Sequence, residues 1–261
     1  MSAELFMDLD LGEVADLKKE EYQNASPFPH IVLDNIFNPY PLARAAHLFP
    51  SPSELKFFKY DNVFEKKLAF DAAHKLPYAI RSILYELNSS LFVRFLERLT
   101  GIKGIIPDPH YVGGGIHQIE AGGKLAIHTD FNWHGDLQLD RRLNVLVYLN
   151  RDWKPEYGGD LELWDKDMTK CHQKIAPIFN RMVIFNTTDF SPHGHPEPLT
   201  CPEGMTRKSI ATYYYTNGRP EAEVSPKHRT IYKRRPHEAI DPEIEKLREA
   251  RSKGRLKDET T

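Results

Sequence analysis

The sequence predicts a mainly β chain with flanking helices (α+β): a barrel or jelly roll of short strands behind a mixed, partly helical front. Three observations carry that reading. Seven short runs with period-two alternation follow one another over residues 115–216, separated by glycine, proline and acidic turns. Before them, residues 77–100 repeat their apolar positions at helix spacing instead. The chain has 261 residues, 40% hydrophobic and 11% aromatic, enough for a sizeable core.

Residues 1–25 are mostly polar and read as a short helix or arm. Residues 27–37 read as a strand, because His30-Ile31-Val32-Leu33 is rich in β-formers and Asp34-Asn35 closes it. Residues 39–48 read as a helix with Asn38 as its N-cap. The aromatic-rich stretch 55–70 reads as two strands. Within residues 77–100, Ile80, Ile83, Leu84 and Leu87 form a stripe that Leu91, Phe92, Phe95, Leu96 and Leu99 continue after Asn88-Ser89-Ser90; Gly101 closes it as a C-cap. The core strands are read at residues 115–120, 125–130, 143–149, 160–164, 174–178, 182–186 and 207–216, with Gly158-Gly159 as a tight turn into the fourth. Residues 241–261 read as a charged helix fraying into a tail, whose basic run Arg251-Ser252-Lys253-Gly254-Arg255 is taken as a solvated face. The chain divides accordingly into a front support region (1–109), a β core (110–220) and a C-terminal extension (221–261), packed as one unit.

Composition narrows the function classes. The 35 basic and 37 acidic residues nearly cancel, which argues against binding nucleic acid or another polyanion through bulk charge. Cys171 and Cys201 alone give no disulfide framework and suit a reducing cytosol. The first ten residues carry acids where a signal peptide has a basic and then an apolar region, and no apolar run nears the roughly 20 residues of a membrane span. The expectation is a cytoplasmic protein with no nucleic-acid or membrane partner; its oligomeric state is left open.

The chemistry centres on His128-Thr129-Asp130. If residues 125–130 are extended, His128 and Asp130 share a face and make two-thirds of a 2-His-1-carboxylate facial triad, which holds Fe(II) and leaves neighbouring positions open. A second triplet, His134-Gly135-Asp136, lies in a stretch without strand pattern, so the first is preferred and His134 is read as a loop side chain or a substrate contact. The third ligand is sought after the apolar strand 182–186, where Ser191-Pro192-His193-Gly194-His195 follows. His193 is preferred, being nearer the strand and flanked by a glycine that leaves room for a ligand; His195, before Pro196, is read as a supporting or rim residue. Arg207 and Ser209 share a face of the last strand and could grip a carboxylate, the guanidinium as a fork and the hydroxyl with one bond. Asn144, Leu146 and Tyr148 share a face of their strand, and Tyr148 could add a hydroxyl.

The order of these parts is recognisable. His128-x-Asp130, then Arg142-Leu143-Asn144 leading to Tyr148-Leu149-Asn150 and Trp153, then Gly158-Gly159-x-Leu161, Ser191-x-His193-Gly194 and Arg207-x-Ser209 resembles the Fe(II)/2-oxoglutarate dioxygenases, within them the prolyl 4-hydroxylase-like branch. The resemblance covers residues 110–220. It implies a double-stranded β-helix (a cupin-like jelly roll) and iron held by His128, Asp130 and His193. It further implies a cosubstrate site in which Arg207 pairs with the distal carboxylate of 2-oxoglutarate, supported by Ser209 and Tyr148, with Gln118 lining the pocket. Fe(II), 2-oxoglutarate and O2 follow as cofactor and cosubstrates, with ascorbate as reductant. Because Asp130 fills the position that halogenases leave for chloride, the implied reaction is hydroxylation of an unactivated C–H bond in a prolyl or other amino-acid residue or an amino-acid-like small molecule, with release of succinate and CO2. Arg207 lies 14 positions after His193, a longer gap than in many members, so Arg219 is kept as the alternative clamp. Trp133, His134 and Arg141 are the candidate contacts to a small-molecule or peptidyl substrate. Two other readings stay open: a non-catalytic jelly-roll binding protein, and a zinc-dependent hydrolase using the same ligands.

Overall fold

Capping and amphipathic spacing set the helical front. In the computed structural model, which describes residues 5, 6 and 9–252, helix α1 (Leu11–Gln23) starts at Asp10, whose carboxylate accepts from the N–H groups of Gly12 and Glu13. Helix α2 (Pro39–His47) starts at the expected Asn38, whose side chain accepts from the Tyr40 N–H. The helical stretch expected over residues 77–100 is two helices, α3 (Tyr78–Leu87) and α4 (Ser90–Thr100). Asn88 ends the first, and the Ser89 hydroxyl accepts from the Phe92 N–H to start the second. Short polar side chains that bond nearby backbone favour caps over helix interiors. Gly101 closes α4 in the left-handed region at φ 79°. Most of the expected stripe is buried, Ile80, Ile83, Leu84 and Leu87 on α3 and Phe92, Phe95, Leu96 and Leu99 on α4, but Leu91, in the first turn of α4, is 54% exposed and lies off the buried face. Each buried side chain contributes about 1.5–3 kcal/mol of burial.

Among the described residues, fourteen strands form one antiparallel sheet. In chain order they are β1 (His30–Asp34), β2 (Phe58–Asp61), β3 (Glu65–Phe70), β4 (Ile106–Pro107), β5 (Gly115–Ile119), β6 (Lys124–Thr129), β7 (Trp133–His134), β8 (Leu139–Tyr148), β9 (Leu161–Trp164), β10 (Cys171–Ile175), β11 (Arg181–Asn186), β12 (His193–His195), β13 (Arg207–Thr216) and β14 (Ile231–Tyr232). The spatial order β1-β11-β8-β13-β5-β3-β6-β12-β9-β10 folds over into a nearly closed jelly roll, with β14 pairing β6 at the mouth. Strand β10 lies three residues earlier than the run at 174–178 predicts. Its first residues, Cys171-His172-Gln173-Lys174, are largely exposed and carry no apolar signal; Ile175 and Ile178 drew the reading forward.

Alternation decides what faces the site. On β8, Leu143, Val145 and Val147 join the core shared with the helices, as do Met182 and Ile184 of β11 and Ile210 and Tyr214 of β13. The opposite faces of β8 and β13 present Asn144 and Leu146, and Arg207, Ser209 and Tyr213, to an internal cavity. After β13 the chain returns across the mouth, forms β14 and enters α5 (Pro242–Ser252), which packs against β14 and is capped by Asp241. Lys253, Gly254 and Arg255 of the basic run lie outside the described residues. No helix among the described residues is long and apolar enough to cross a membrane.

Candidate active site

Strands β6 and β12 are adjacent and antiparallel, with His128 directly opposite His193. Asp130 follows β6 immediately, so three donors converge: His128 Nε2 and His193 Nε2 each lie 3.5 Å from an Asp130 carboxylate oxygen. Ligand atoms of all three lie within 4.8 Å of one another, a group that could hold a metal ion. Backbone contacts fix both rings. His128 Nδ1 lies 2.9 Å from the Ala126 carbonyl and His193 Nδ1 3.0 Å from the Ser191 carbonyl. A carbonyl can only accept, so each Nδ1 carries the proton and each Nε2 keeps its lone pair for the centre. This donor set fits Fe(II) on its own chemistry: two imidazoles and one carboxylate, with no further histidine, cysteine or carboxylate in the group among the described residues. Burial lowers the His193 pKa to about 4 despite Asp130, which keeps its lone pair available near neutrality.

Asp130 is held by two residues whose part here sequence reasoning missed. Asn144 donates from Nδ2 to Asp130 Oδ2 at 2.8 Å. Arg141 Nη2 lies 3.1 Å from the same oxygen and also donates to Asn144 Oδ1 at 2.5 Å. The guanidinium is 1% exposed and stacked between Tyr213 (3.5 Å to the ring centre) and Phe131 (4.2 Å). Burial alone would raise the Asp130 pKa; Arg141 and the two imidazoles outweigh it and hold the carboxyl well below its ordinary range. A polar Asn144 alternating with Leu146 on a face that enters the core was the available signal; nothing in the spacing linked it to Asp130.

Arg207 lies in the same cavity as the triad, which measures about 490 Å³ and is walled by Ile119, Leu125, Leu146 and Leu161. It is 4% exposed. Its Nε donates to the Gly159 carbonyl at 2.8 Å, and its Nη2 donates to the Tyr148 hydroxyl at 3.2 Å. Among the described residues, Nη1 has no protein acceptor. Gly159 has φ 78°, and a Cβ there would stand 3.0 Å from Arg207 Cδ, so the glycine turn lets the arginine pack closely. Ser209 lines the cavity beside it, whereas Tyr148 stands one layer behind the guanidinium. Burial raises the Tyr148 pKa and keeps the phenol protonated. The alternative clamp, Arg219, lies outside this cavity and pairs with Asp140 at 3.3 Å.

The remaining candidates divide. Gln118 does not reach the cavity: its Nε2 donates to the Pro50 carbonyl and its Oε1 accepts from Thr206. His117 and Ile119, of opposite parity on β5, line the wall instead. Trp133 is half-buried on the wall, with Lys227 Nζ 3.4 Å above its ring. His134 lies on the short β7, buried between Asp108 (3.6 Å) and Tyr215. Gly194 is small for a reason other than room for a ligand: a Cβ there would stand 2.8 Å from the Ala126 and Leu125 carbonyl oxygens, so it permits close approach of β12 to β6. Sequence reasoning also missed Glu65, Lys67 and Tyr232. Glu65 accepts from the Tyr232 hydroxyl at 2.7 Å and pairs with Lys67 at 3.0 Å, and the Tyr232 ring lies 5.9 Å from that of His128.

A jelly roll that brings a His/Asp/His group and a buried arginine into one cavity points to an oxygenase class, and comparison with known proteins agrees. Residues 114–215, from β5 to β13, match the family model of the 2OG-Fe(II) oxygenase superfamily. The chain is similar to prolyl 3-hydroxylase OGFOD1 of Mus musculus, 25% identical over 193 residues; the match covers 72% of this chain and 33% of the mouse protein, about a third of that relative's length. A prolyl hydroxylase from Trichoplax adhaerens, solved with a hypoxia inducible factor oxygen degradation domain peptide fragment, shares the fold at TM-score 0.57 and 18% identity, over 78% of this chain and 90% of that one. A Pseudomonas putida prolyl-4-hydroxylase does so at TM-score 0.54 and 14% identity, over 80% of this chain and all (100%) of that one.

Proposed function

We propose that this protein is an Fe(II)- and 2-oxoglutarate-dependent dioxygenase that hydroxylates an unactivated C–H bond, in a prolyl or other amino-acid residue or an amino-acid-like small molecule. The observation that carries the proposal is the convergence of His128, Asp130 and His193 in the cavity that also holds Arg207. His128 and His193 would hold the metal through Nε2, and Asp130 through a carboxylate oxygen. With 2-oxoglutarate and O2, the bound metal supplies oxidative chemistry that side chains lack, yielding hydroxylated product, succinate and CO2.

The chain's own part is orientation and charge. Arg141 and Asn144 keep Asp130 ionised and aimed at the two imidazoles. Gly159 and Tyr148 fix the Arg207 fork, leaving Nη1 for the distal carboxylate of 2-oxoglutarate, with Ser209 adding a hydroxyl. Apolar walls keep water from these bonds and so strengthen them. Of the three residues considered for substrate, Trp133 is the proposed contact, since Arg141 is engaged with Asp130 and His134 is packed against Asp108. A peptidyl substrate is favoured by the names of the relatives, a prolyl 3-hydroxylase among them.

Ascorbate as reductant and a cytoplasmic location belong to the same proposal; Cys171 and Cys201 are free thiols, which suits a reducing compartment. The three chain segments are proposed to act as one unit, because β1 and β3 of the front and β14 of the extension are hydrogen-bonded into the core sheet. The test is a panel of prolyl peptides and free amino acids with Fe(II) and 2-oxoglutarate, read by succinate formation and by a mass gain of one oxygen. Succinate that depends on Fe(II) supports the proposal. Failure to bind 2-oxoglutarate in the metal-loaded protein refutes it.

A further inference from the structure

His195 is the one histidine on β12 that the proposed reaction leaves without a part. It is 3% exposed and lines the same cavity as the triad and Arg207. Both of its ring nitrogens are buried and have no hydrogen-bond partner among the described residues. The contrast with its neighbours is sharp: His128 and His193 each anchor Nδ1 on a backbone carbonyl. An imidazole in either tautomer carries at least one N–H, and a buried donor without an acceptor is unfavourable and uncommon. The charged groups acting on His195 most strongly are Arg207 and Lys67, both cationic. Lys67 is already matched by Glu65 at 3.0 Å, whereas Arg207 has no carboxylate partner among the described residues. The ring therefore lines a cavity in which the charged groups that act on it most strongly are donors, with Ile119, Leu125 and Leu161 among the apolar walls. What completes such a cavity is an anionic acceptor.

We propose that His195 is a cosubstrate-binding residue: its ring N–H donates to the distal carboxylate of 2-oxoglutarate, the carboxylate that Arg207 holds. The inference rests on the function proposed above. It assigns to His195 a bond that the Arg207-Tyr148-Ser209 group does not supply. The rigid setting of the ring supports it, because His195 is paired with Leu125 across β12 and β6 and is fixed between Gly194 and Pro196. A ring so placed donates with little loss of side-chain freedom on binding.

The test is calorimetric titration of Mn(II)-loaded protein with 2-oxoglutarate, without oxygen. His195→Leu should weaken 2-oxoglutarate binding about tenfold to a hundredfold, the range for a lost hydrogen bond to a charged group. Mn(II) affinity should stay at the parent value. His195→Gln, which keeps a donor, should recover most of the loss. With 2-oxobutyrate, which lacks the distal carboxylate, parent and His195→Leu should bind alike. If His195→Leu does not fold, His195→Met carries the same comparison. Equal 2-oxoglutarate affinity in parent and variant overturns the inference and leaves the proposed function standing. An equal loss with 2-oxobutyrate also overturns it, since the ring would then serve the keto-acid end. A parent protein that binds no 2-oxoglutarate refutes the proposed function itself.

Discussion

Removing Arg207 tests the cosubstrate site most directly. The guanidinium is 4% exposed, held by the Gly159 carbonyl at 2.8 Å and the Tyr148 hydroxyl at 3.2 Å, so it meets a ligand already oriented. Truncation to Arg207→Ala breaks a buried charge pair with the distal carboxylate, which costs about 3–5 kcal/mol. At about 1.4 kcal/mol per tenfold, that is roughly a hundredfold to a few thousandfold in affinity. Arg207→Lys should fall between parent and alanine, because an ammonium supplies charge but cannot bond Gly159 and a carboxylate with one planar fork. Tyr148→Phe should be mildest, about 0.5–1.5 kcal/mol, since Tyr148 acts through the guanidinium. Titration with 2-oxoglutarate, in protein loaded with a redox-inert divalent metal and kept free of oxygen, gives all three affinities. Metal affinity should be unchanged throughout. If Arg207→Ala binds 2-oxoglutarate like the parent while Arg219→Ala does not, the clamp is Arg219 and the cavity assignment is wrong.

Three further outcomes are expected. His128→Ala, Asp130→Ala and His193→Ala should each abolish Fe(II)-dependent succinate formation while His134→Ala retains some; a fully active His193 variant would contradict the triad. Gly194→Ala places a methyl 2.8 Å from two β6 carbonyls, so it should displace β12 from β6 and weaken metal binding at least tenfold by calorimetry; an unchanged metal affinity would show that the strands can move apart without moving the histidines. The third concerns pH: burial would lower the His228 pKa, but Asp189 at 2.7 Å outweighs burial and raises it above 6.5. A raised folded-state pKa means a stabilising contribution, here at most about 1 kcal/mol, that is complete below pH 6.5 and lost as pH rises through the folded value. Amide exchange in residues 225–232 should therefore speed up, beyond its intrinsic pH dependence, between pH 6 and 9; Asp189→Asn should remove that excess, and an unchanged excess would rule out the pair as its source.

Where periodicity was strong, the sequence was legible. Residues 207–216 coincide with β13, and the face assigned to Arg207 and Ser209 is the cavity face. The two helical stripes are legible apart from the exposed Leu91, but the cap that divides them looks like an interruption in one helix, since a Ser89 hydroxyl has no apolar signature. Strands β7, β12 and β14 have two or three residues, too few for a period to register. On β5, alternate faces carry Ile116 and Ile119, so hydrophobicity could not say whether His117 or Gln118 points inward; the Pro50 carbonyl that takes Gln118 lies 68 positions away. The grouping of His128, Asp130 and His193 is legible because His128 and Asp130 are neighbours in sequence and His193 follows an apolar strand. The side chains that support them are not: Arg141 reaches Asp130 from β8, a strand that does not pair with β6, and Tyr232 reaches Glu65 from 167 positions along the chain.

The closing strand β14 changes where this protein can be cut. The family match ends at residue 215, the natural place to trim a minimal domain. Strand β6, however, has β12 on one side, while its other side is shared: β3 covers Lys124 and Leu125, and β14 covers His128 and Thr129. A truncation after residue 215 would strip the partner from the half of β6 that carries His128 and remove the Tyr232 hydroxyl from Glu65. The trimmed fragment would present a bare strand edge beside the proposed metal ligands, a template for pairing with a second copy. For expression work, the shortest sound fragment reaches past Tyr232, and a soluble shorter one would still be a poor proxy for this centre.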